Sequence, residues 1–272
     1  MANQINKNID KEALRKKYNP EGSDMRKHQL RMLDILIEVD KICKRHDIPY
    51  WLSGGTLLGA VWFQGFMPWD DDIDIELMHK DYKRLMKALD EELPDNMALQ
   101  TPQNDKNYFF HYAKVRDKKS FIAEVNHYDR VFKHQGIYID IFPLRKQPLW
   151  LHRLSEISHG HAYKIMNRNP ESDKDMWKVR LIKQFNRKFF YPILSLFTWA
   201  GKRTLINDFG IPDSPKRKEA DIYPLKSAEF EGQPMPIPQK PDKVLTLQYD
   251  DYGWVPEDDN MHPHIEKLEF YE

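Results

Sequence analysis

The chain has 272 residues, and its 42 lysines and arginines balance its 42 aspartates and glutamates. This balance excludes the strongly basic proteins that bind nucleic acid or anionic lipid through their overall field. The aromatic content of 12% and the length exclude a disordered chain and indicate a folded protein with a sizeable core.

The sequence carries no recognisable signal for export or for membrane insertion. The first ten residues, MANQINKNID, lack the apolar segment of a signal peptide. The longest apolar run, over about 189–200, is too short and too interrupted to span a bilayer. The single cysteine, Cys43, cannot form an internal disulfide. We therefore predict a cytoplasmic protein without a transmembrane segment, whose membrane contact, at the inner face, would be peripheral.

The N-terminal part divides into a polar segment and a helix. Residues 1–24 are polar and contain Pro20 and Gly22, which predicts a flexible lead-in. Apolar residues then recur at helical spacing and predict an amphipathic helix over about 25–46. Cys43 lies on its apolar stripe, which favours a core thiol over a nucleophile.

Predicted strands and helices mix over the next hundred residues. The predicted helices are TLLGAVWF and the stretch 79–93, and the predicted strands are IPYWL, DIDIEL, MALQT, YFFHYAKVR at 108–116 and GIYIDIF at 136–142. This pattern predicts a mixed α/β core over residues 25–148.

The C-terminal half changes character. Residues 149–211 are rich in Leu, Ile, Phe, Lys and Arg, and Pro170 and Pro192 divide them into about three predicted helices. Residues 212–272 carry many prolines, as in EGQPMPIPQKP, and predict an extended strap packed on the core.

The stretch PWDDDIDIE contains the most distinctive chemistry. Because side chains alternate along a strand, Asp72 and Asp74 share one face and the two isoleucines share the other. Two carboxylates so placed can bind one Mg²⁺ or Mn²⁺ ion, since both ions prefer oxygen ligands. Without a cation, the like charges would repel and raise each other's pKa. The alternative is an acidic strand end exposed to water.

The strand GIYIDIF repeats this alternation. Asp140 points away from three isoleucines, and an isolated acid among large apolar residues needs a partner. We predict that Asp140 is a third metal ligand; a buried salt bridge is the alternative.

The turn SGGTLLG precedes the acids. Adjacent glycines at a strand-to-helix turn let backbone N–H groups approach an anion, and a helix N-terminus favours negative charge. Gly54, Gly55 and Thr56 are therefore predicted to cradle phosphate, although a glycine pair alone is a weak signal.

Together these motifs resemble the LicD family of phosphotransferases, which includes the fukutin-related proteins. The resemblance rests on WLSGGTLLGAV…GFMPWDDDIDI, YAKVRDKKS, GIYIDIFPL and FEGQPMPIP…YDDYGW…H, over about residues 27–264. It implies a nucleotidyltransferase-like α/β core of the polymerase-β type, with Asp72 and Asp74 as paired metal ligands and Asp140 at the family's third acidic position.

The resemblance also implies an activity. Members of this family move phosphocholine, or a related phospho-alcohol, from a CDP-activated donor such as CDP-choline to a sugar of a cell-surface glycan or glycolipid. The sequence leaves two alternatives open, which are a nucleotidyltransferase that attaches NMP to a small acceptor and a catalytically inactive binding module of the same fold.

One segment departs from the family pattern. Where relatives usually carry basic residues between the glycines and the acids, this chain has Trp62, Phe63 and Gln64. Lys114 and Arg116, which alternate on one predicted strand face, are candidates to replace those cations, unless they form a solvated face. An aromatic ring of the altered stretch could instead stack on a base or a choline headgroup.

The general base is not evident from the sequence. His111, His127 and His134 are candidates, and Asp140 could itself accept the proton of the acceptor hydroxyl. The sequence assigns no role to the two histidines of MHPH, His262 and His264.

Overall fold

The computed structural model describes residues 10–168, 176–212, 215–250, 252 and 264–271. Its helices are α1 Lys11–Tyr18, α2 Asp24–Arg45, α3 Gly54–Phe63, α4 His79–Glu92, α5 Leu149–Met166, α6 Trp177–Phe185, α7 Tyr191–Ser195, α8 Glu219–Ile222 and α9 Pro241–Tyr249. Its strands are β1 Trp51–Leu52, β2 Asp74–Met78, β3 Met97–Gln100, β4 Ala113–Asp117, β5 Ser120–Glu124, β6 Tyr138–Pro148, β7 Arg203–Asn207, β8 Lys226–Phe230, β9 Gln233–Ile237 and β10 Ile265–Phe270.

A mixed sheet forms the centre of the molecule, in the order β1-β2-β6-β4-β3. Strands β2 and β6 run parallel, whereas the other neighbours are antiparallel, and β7 pairs with the C-terminal half of β6. Helices α2 and α4 pack on each other and on β6. The predicted mixed α/β class is therefore confirmed.

The helix predictions for α2, α3 and α4 are confirmed; α2 and α4 each bury one apolar stripe, whereas α3 is apolar on all sides and almost entirely buried. Ser23 begins α2 by accepting a hydrogen bond from the backbone N–H of Arg26 at 3.2 Å. Cys43 is buried on the inner face of α2, as predicted.

The predicted flexible lead-in contains helix α1. Asp10 caps this helix by accepting a hydrogen bond from the N–H of Ala13 at 2.9 Å. The helix is tethered to the core, because the Arg15 guanidinium donates to the Phe63 carbonyl at 2.8 Å. Residues 1–9 lie outside the described part of the chain.

The predicted strand over 108–116 is too long, because β4 begins only at Ala113. Tyr108, Phe109 and Phe110 are buried, but they pack with Phe132 in a separate aromatic cluster rather than join the ladder. Aromatic β-propensity reflects burial as much as strand pairing, so the composition alone misassigned them.

The predicted helical segment 149–211 contains three helices and also strand β7, which the sequence did not predict. Between α6 and α7 the chain forms a π-helical turn over Asn186–Phe190. Pairing of β7 with β6 joins this segment to the central sheet. Pro170 lies outside the described residues.

The proline-rich strap contains more regular structure than the predicted extended chain. Strands β8 and β9 form an antiparallel hairpin, and α9 follows. Phe230, Met235 and Leu245 from this region are buried in the same core cluster as α2 and β2. Strand β10 pairs with β5, outside the central sheet.

Candidate active site

The two acidic strand positions lie side by side at the centre of the sheet. Because β2 and β6 are parallel neighbours, Asp74 stands opposite Asp140 in the register. Ile73 and Ile75 are fully buried, and Asp72 and Asp74 are half-buried, although β2 begins at Asp74, two residues later than the predicted strand DIDIEL. The predicted alternation of β2 is therefore confirmed.

Asp140 has a cationic partner. Lys114, its antiparallel neighbour on β4, places its ammonium 2.8 Å from Oδ1 and 3.0 Å from Oδ2 of Asp140. Burial raises the pKa of Asp140, Lys114 opposes the rise, and the resulting pKa is about 6. Lys114 and Asp140 thus form the buried salt bridge that was the alternative interpretation of Asp140. The role of Asp140 as a third metal ligand stays a prediction.

The phosphate-binding interpretation of Arg116 is wrong. Its side chain is fully buried and donates to Gln100 Oε1 at 2.6 Å and to the Gly136 carbonyl at 2.8 Å. Glu124 lies 3.8 Å away. Lys114 is equally inaccessible, because its side chain is 2% exposed and faces Asp140. Lys114 therefore neutralises Asp140, and its role in binding the donor stays a prediction.

Both glycines of the turn lie against carboxylates. A Cβ atom on Gly54 would come within 2.6 Å of Asp74 Oδ2, and one on Gly55 would come within 2.6 Å of Asp70 Oδ2. Gly54 also has a φ of +58°, which a side chain would strain. The hydroxyl of Thr56 accepts a hydrogen bond from the N–H of Asp74 at 2.8 Å. The turn therefore positions the acids, and its role as a phosphate cradle stays a prediction.

The carboxylates at this turn are poorly compensated. No described residue donates a hydrogen bond to the Asp74 carboxylate, and the buried Oδ2 of Asp70 is also without a partner among the described residues. Burial raises the pKa of Asp74 well above its ordinary value, and the charges of Asp72 and Asp140 raise it further. Burial and Asp72 likewise raise the pKa of Asp70. Such a concentration of negative charge favours a bound cation.

His264, to which the sequence assigned no role, contacts the acids of this site. Its Nδ1 lies 2.8 Å from Oδ1 of Asp71 and 3.7 Å from Oδ2 of Asp72. The backbone N–H groups of His264 and Ile265 also donate to Asp71. The hydrogen bond with Asp71 raises the pKa of His264 to about 9. The motif MHPH is evident in the sequence, but no local signal indicates that His264 contacts Asp71, which lies 193 residues earlier in the chain. His262 lies outside the described residues.

A cavity of about 230 Å³ opens beside Asp74. Its lining includes Ser53, Glu76, Tyr112, Tyr163 and Arg217. Arg217 is hydrogen-bonded to Glu76, which also accepts from the indole N–H of Trp51 at 3.1 Å. Arg217 is a cation that sequence reasoning missed, because it comes from a loop outside every predicted motif.

The predicted role of Asp72 and Asp74 as the two carboxylate ligands of a metal ion stays a prediction. Within the described ranges, no three Asp, Glu, His or Cys side chains are already arranged to hold a metal ion. Asp72 and Asp74 are nevertheless close enough for the charge of Asp72 to raise the pKa of Asp74, and the Asp74 carboxylate has no described donor. The donor set is all oxygen, which suits Mg²⁺ or Mn²⁺.

The three histidines that were candidates for the general base contact other residues. His111 packs against His159 and Tyr191, with ring centroids 4.5 and 4.9 Å apart. Burial lowers its pKa well below the ordinary value. His127 is exposed and pairs with Glu266 at 3.6 Å, and His134 offers its carbonyl to Gln100. Their contacts among the described residues do not include Asp72, Asp74 or Asp140.

The aromatic stretch at the end of α3 belongs to the core. Trp62 and Phe63 are each 3% exposed, and Trp62 packs against Tyr252. A ten-residue helix is about 15 Å long, so these rings stand at the opposite end of α3 from Gly54. The interpretation that they stack on a base or a headgroup is therefore wrong; Gln64 is exposed at the helix C-cap.

Comparison with known proteins agrees with this geometry. Residues 47–170 match the family described as LicD/FKTN/FKRP, nucleotidyltransferase domain. A lipopolysaccharide cholinephosphotransferase LicD of Haemophilus influenzae is 26% identical in an alignment 259 positions long that covers 88% of this chain and 95% of that protein. An uncharacterised protein of Rickettsia prowazekii is 30% identical over 136 residues, 48% of this chain and 50% of that protein.

The matched domain coincides with the residues described above. It begins just before β1 and includes the glycine turn, Asp72, Asp74 and Asp140. Among the described residues, no helix has both the length and the apolar character needed to cross a membrane. The chain therefore carries a nucleotidyltransferase domain of the LicD family over residues 47–170.

Proposed function

We propose that this chain is a LicD-type phosphotransferase that passes phosphocholine, or a similar phospho-alcohol, from a CDP-activated donor to a sugar of a cell-surface glycan. The acceptor would be a lipopolysaccharide, capsule or teichoic acid precursor. The observation that carries the proposal is the placement of the uncompensated Asp74 between the Gly54 turn and the Asp140 strand. The likeness to a cholinephosphotransferase over 88% of the chain supports the same activity.

The proposed roles follow from the contacts. Asp72 and Asp74 would hold Mg²⁺ or Mn²⁺, which when bound would neutralise the charge of the donor diphosphate. Gly54, Gly55 and Thr56 would face the phosphates at the N-terminus of α3, where the helix dipole favours negative charge. Arg217 also lines the cavity, where it is paired with Glu76.

We also propose a nucleotidyltransferase-like core of the polymerase-β type, acting in the cytoplasm. The parallel pairing of β2 with β6 supports this core, because it brings carboxylates from two strands to one place. The C-terminal half would shape the acceptor side, since Tyr163 of α5 and Arg217 both line the cavity.

The reaction would occur at the β-phosphorus of the donor. The acceptor hydroxyl oxygen forms a bond to this phosphorus, the bond to the bridging oxygen breaks, and CMP departs with that oxygen. The hydroxyl proton would pass to Asp140, whose pKa of about 6 permits proton uptake near neutral pH.

A product assay tests the proposal. The full chain would be incubated with CDP-choline, Mg²⁺ and a glycan acceptor, and both products would be quantified by mass spectrometry. We expect CMP and phosphocholine-modified sugar in equal amounts. Cytidylyl-modified acceptor with free phosphocholine would show nucleotidyl transfer instead, and no product with any CDP-alcohol would favour a binding module.

A further inference from the structure

Helix α6 and the segment after it present an unusually apolar outer surface. Trp177, Leu181, Phe185 and Phe189 recur every four residues and are 53–62% exposed. Trp199, in the turn after α7, is 73% exposed. Large side chains of this kind normally face a core, so a continuous row of them on the outside indicates a binding surface.

Helix α5 extends the same surface. Trp150, Leu154 and Ile157 follow helical spacing and are 42–64% exposed. The indole N–H of Trp150 donates to the Ala200 carbonyl at 3.4 Å, which places the start of α5 beside the turn that carries Trp199. We call these residues, together with the α6 row and Trp199, the apolar face.

The charges along α6 and the segment after it have one sign, whereas α5 carries both Arg153 and Glu156. Residues 176–203 contain seven lysines and arginines and no aspartate or glutamate. Of these cations, Lys178, Lys188, Lys202 and Arg203 are exposed, and Lys178 lies 5.4 Å from the ring centroid of Trp177. In a chain whose total charge is zero, this local excess of positive charge complements an anionic partner.

A bilayer surface with anionic lipids matches both properties. Tryptophans and long apolar side chains insert at the level of the headgroups, and lysines and arginines at the rim attract anionic lipid. Helices with this composition lie in the interface rather than cross it, which agrees with the lack of a membrane-spanning helix among the described residues. Residues 176–203 contain no acidic residue that could pair with cations of a protein partner, which favours an anionic membrane over a protein surface of mixed charge.

We propose that the apolar face binds the surface of an anionic membrane. Helix α5, which contributes Trp150, Leu154 and Ile157 to the face, also carries Tyr163 in the lining of the cavity beside Asp74, so the face and the cavity share this helix. If the proposed transferase activity holds, on which this consequence rests, the natural acceptor is a glycan carried on a lipid.

Vesicle flotation with the full chain tests this binding. The vesicles contain phosphatidylcholine alone or with phosphatidylglycerol. We expect flotation with the anionic vesicles, weaker at high salt. The double variant Leu181→Ser/Trp199→Ser should partition at least about tenfold less, because two inserted side chains are lost. The matched control Leu247→Ser, an exposed leucine of α9, should float like the wild type.

Three results would overturn the inference. The first is that the wild type does not float, and the second is that the double variant floats as well as the wild type. The third is that size-exclusion chromatography shows a concentration-dependent dimer of the wild type that is absent in the double variant. Circular dichroism confirms that each variant is folded. Transfer to a soluble sugar acceptor should persist in the double variant, so a wild type that floats but never transfers would disprove the proposed function alone.

Discussion

The pKa values of two acids of this protein, Asp208 and Asp74, are shifted in opposite directions. Asp208 is buried, which by itself would raise its pKa, but hydrogen bonds from His79 and Arg145 lower that pKa below its ordinary value. Arg145 donates to its two oxygens at 2.5 and 3.0 Å. Asp74 has no described donor, and its pKa is raised. Hydrogen bonds within the protein stabilise the charged form of Asp208. The Asp74 carboxylate receives no such bond from the described residues.

The same contrast occurs within a single strand. Glu76 lies two residues after Asp74 on β2 and is held by Arg217 and Trp51. The fold can therefore supply partners at this strand, which makes the lack of a described donor at Asp74 informative. Unpaired acids cost folding free energy, and such a cost is typical of functional sites.

The largest effect should come from Asp74→Asn. Transfer from CDP-choline should fall by about a thousandfold, because charge stabilisation at the donor phosphates is lost. The melting temperature without metal should stay level or rise, since the variant removes repulsion from Asp72 and Asp140. Product formation and thermal melting check both parts. The control Asp34→Asn, at an exposed site on α2, should change neither, and a marked loss of stability in Asp74→Asn would make this acid structural.

The opposite outcome is expected for Asp208→Asn. This variant leaves Arg145 and His79 without their carboxylate and should lower the free energy of unfolding by about 3 kcal/mol. Urea denaturation measures the loss. Glu91→Gln, which removes an exposed pair with Lys87 at 3.9 Å, should cost less than about 0.5 kcal/mol. Equal losses in the two variants would contradict the contrast between paired and unpaired acids.

The variant Lys114→Met tests whether Asp140, which is paired with one lysine, can also bind a metal ion. Removing the lysine leaves Asp140 unpaired and should cost about 2 kcal/mol of unfolding free energy without metal. If Asp140 can serve as a ligand, Mg²⁺ should recover part of this loss and should bind the variant more tightly than the wild type. Melting curves recorded across a Mg²⁺ titration measure both. Stability that is lost and does not respond to Mg²⁺ would assign Asp140 to the ion pair alone.

The smallest effect concerns pH. Because the folded-state pKa of Asp208 lies below its unfolded value of about 4, its stabilisation is present above pH 4 and is lost as the pH falls toward the folded value. The stability difference between the wild type and Asp208→Asn should therefore narrow by on the order of 1 kcal/mol below about pH 4. Urea curves at a series of pH values measure it. A constant difference would mean that the pKa of Asp208 is not lowered.

Local patterns were sufficient wherever the chain's own periodicity sets the structure. The alternation in DIDIEL predicted the faces of β2, and apolar spacing predicted α2 and α4. The pleat and the helical turn repeat over two to four residues, so a short window contains the whole signal. Asp72, Asp74 and Asp140 were found in this way, since each acid interrupts an apolar period.

Partners from distant segments could not be found in this way. Lys114 became the partner of Asp140 because of the antiparallel register of β4 and β6, and Arg116 turned inward to Gln100. His264 reached Asp71 across 193 residues, and Arg217 reached Glu76 across 141. None of these pairings produces a pattern within a short stretch of sequence.

The sequence alone therefore specified the acids, the glycine turn and the elements that carry them, because strand and helix periods are encoded residue by residue. The folded molecule decided which charges are neutralised and which remain open, because ion pairs depend on strand register and on the return of the C-terminal segments to the sheet. Asp74 and Glu76 are neighbours of the same type on one strand. Arg217 reaches Glu76, whereas no described residue donates a hydrogen bond to the Asp74 carboxylate, and this difference depends on the fold and not on the strand.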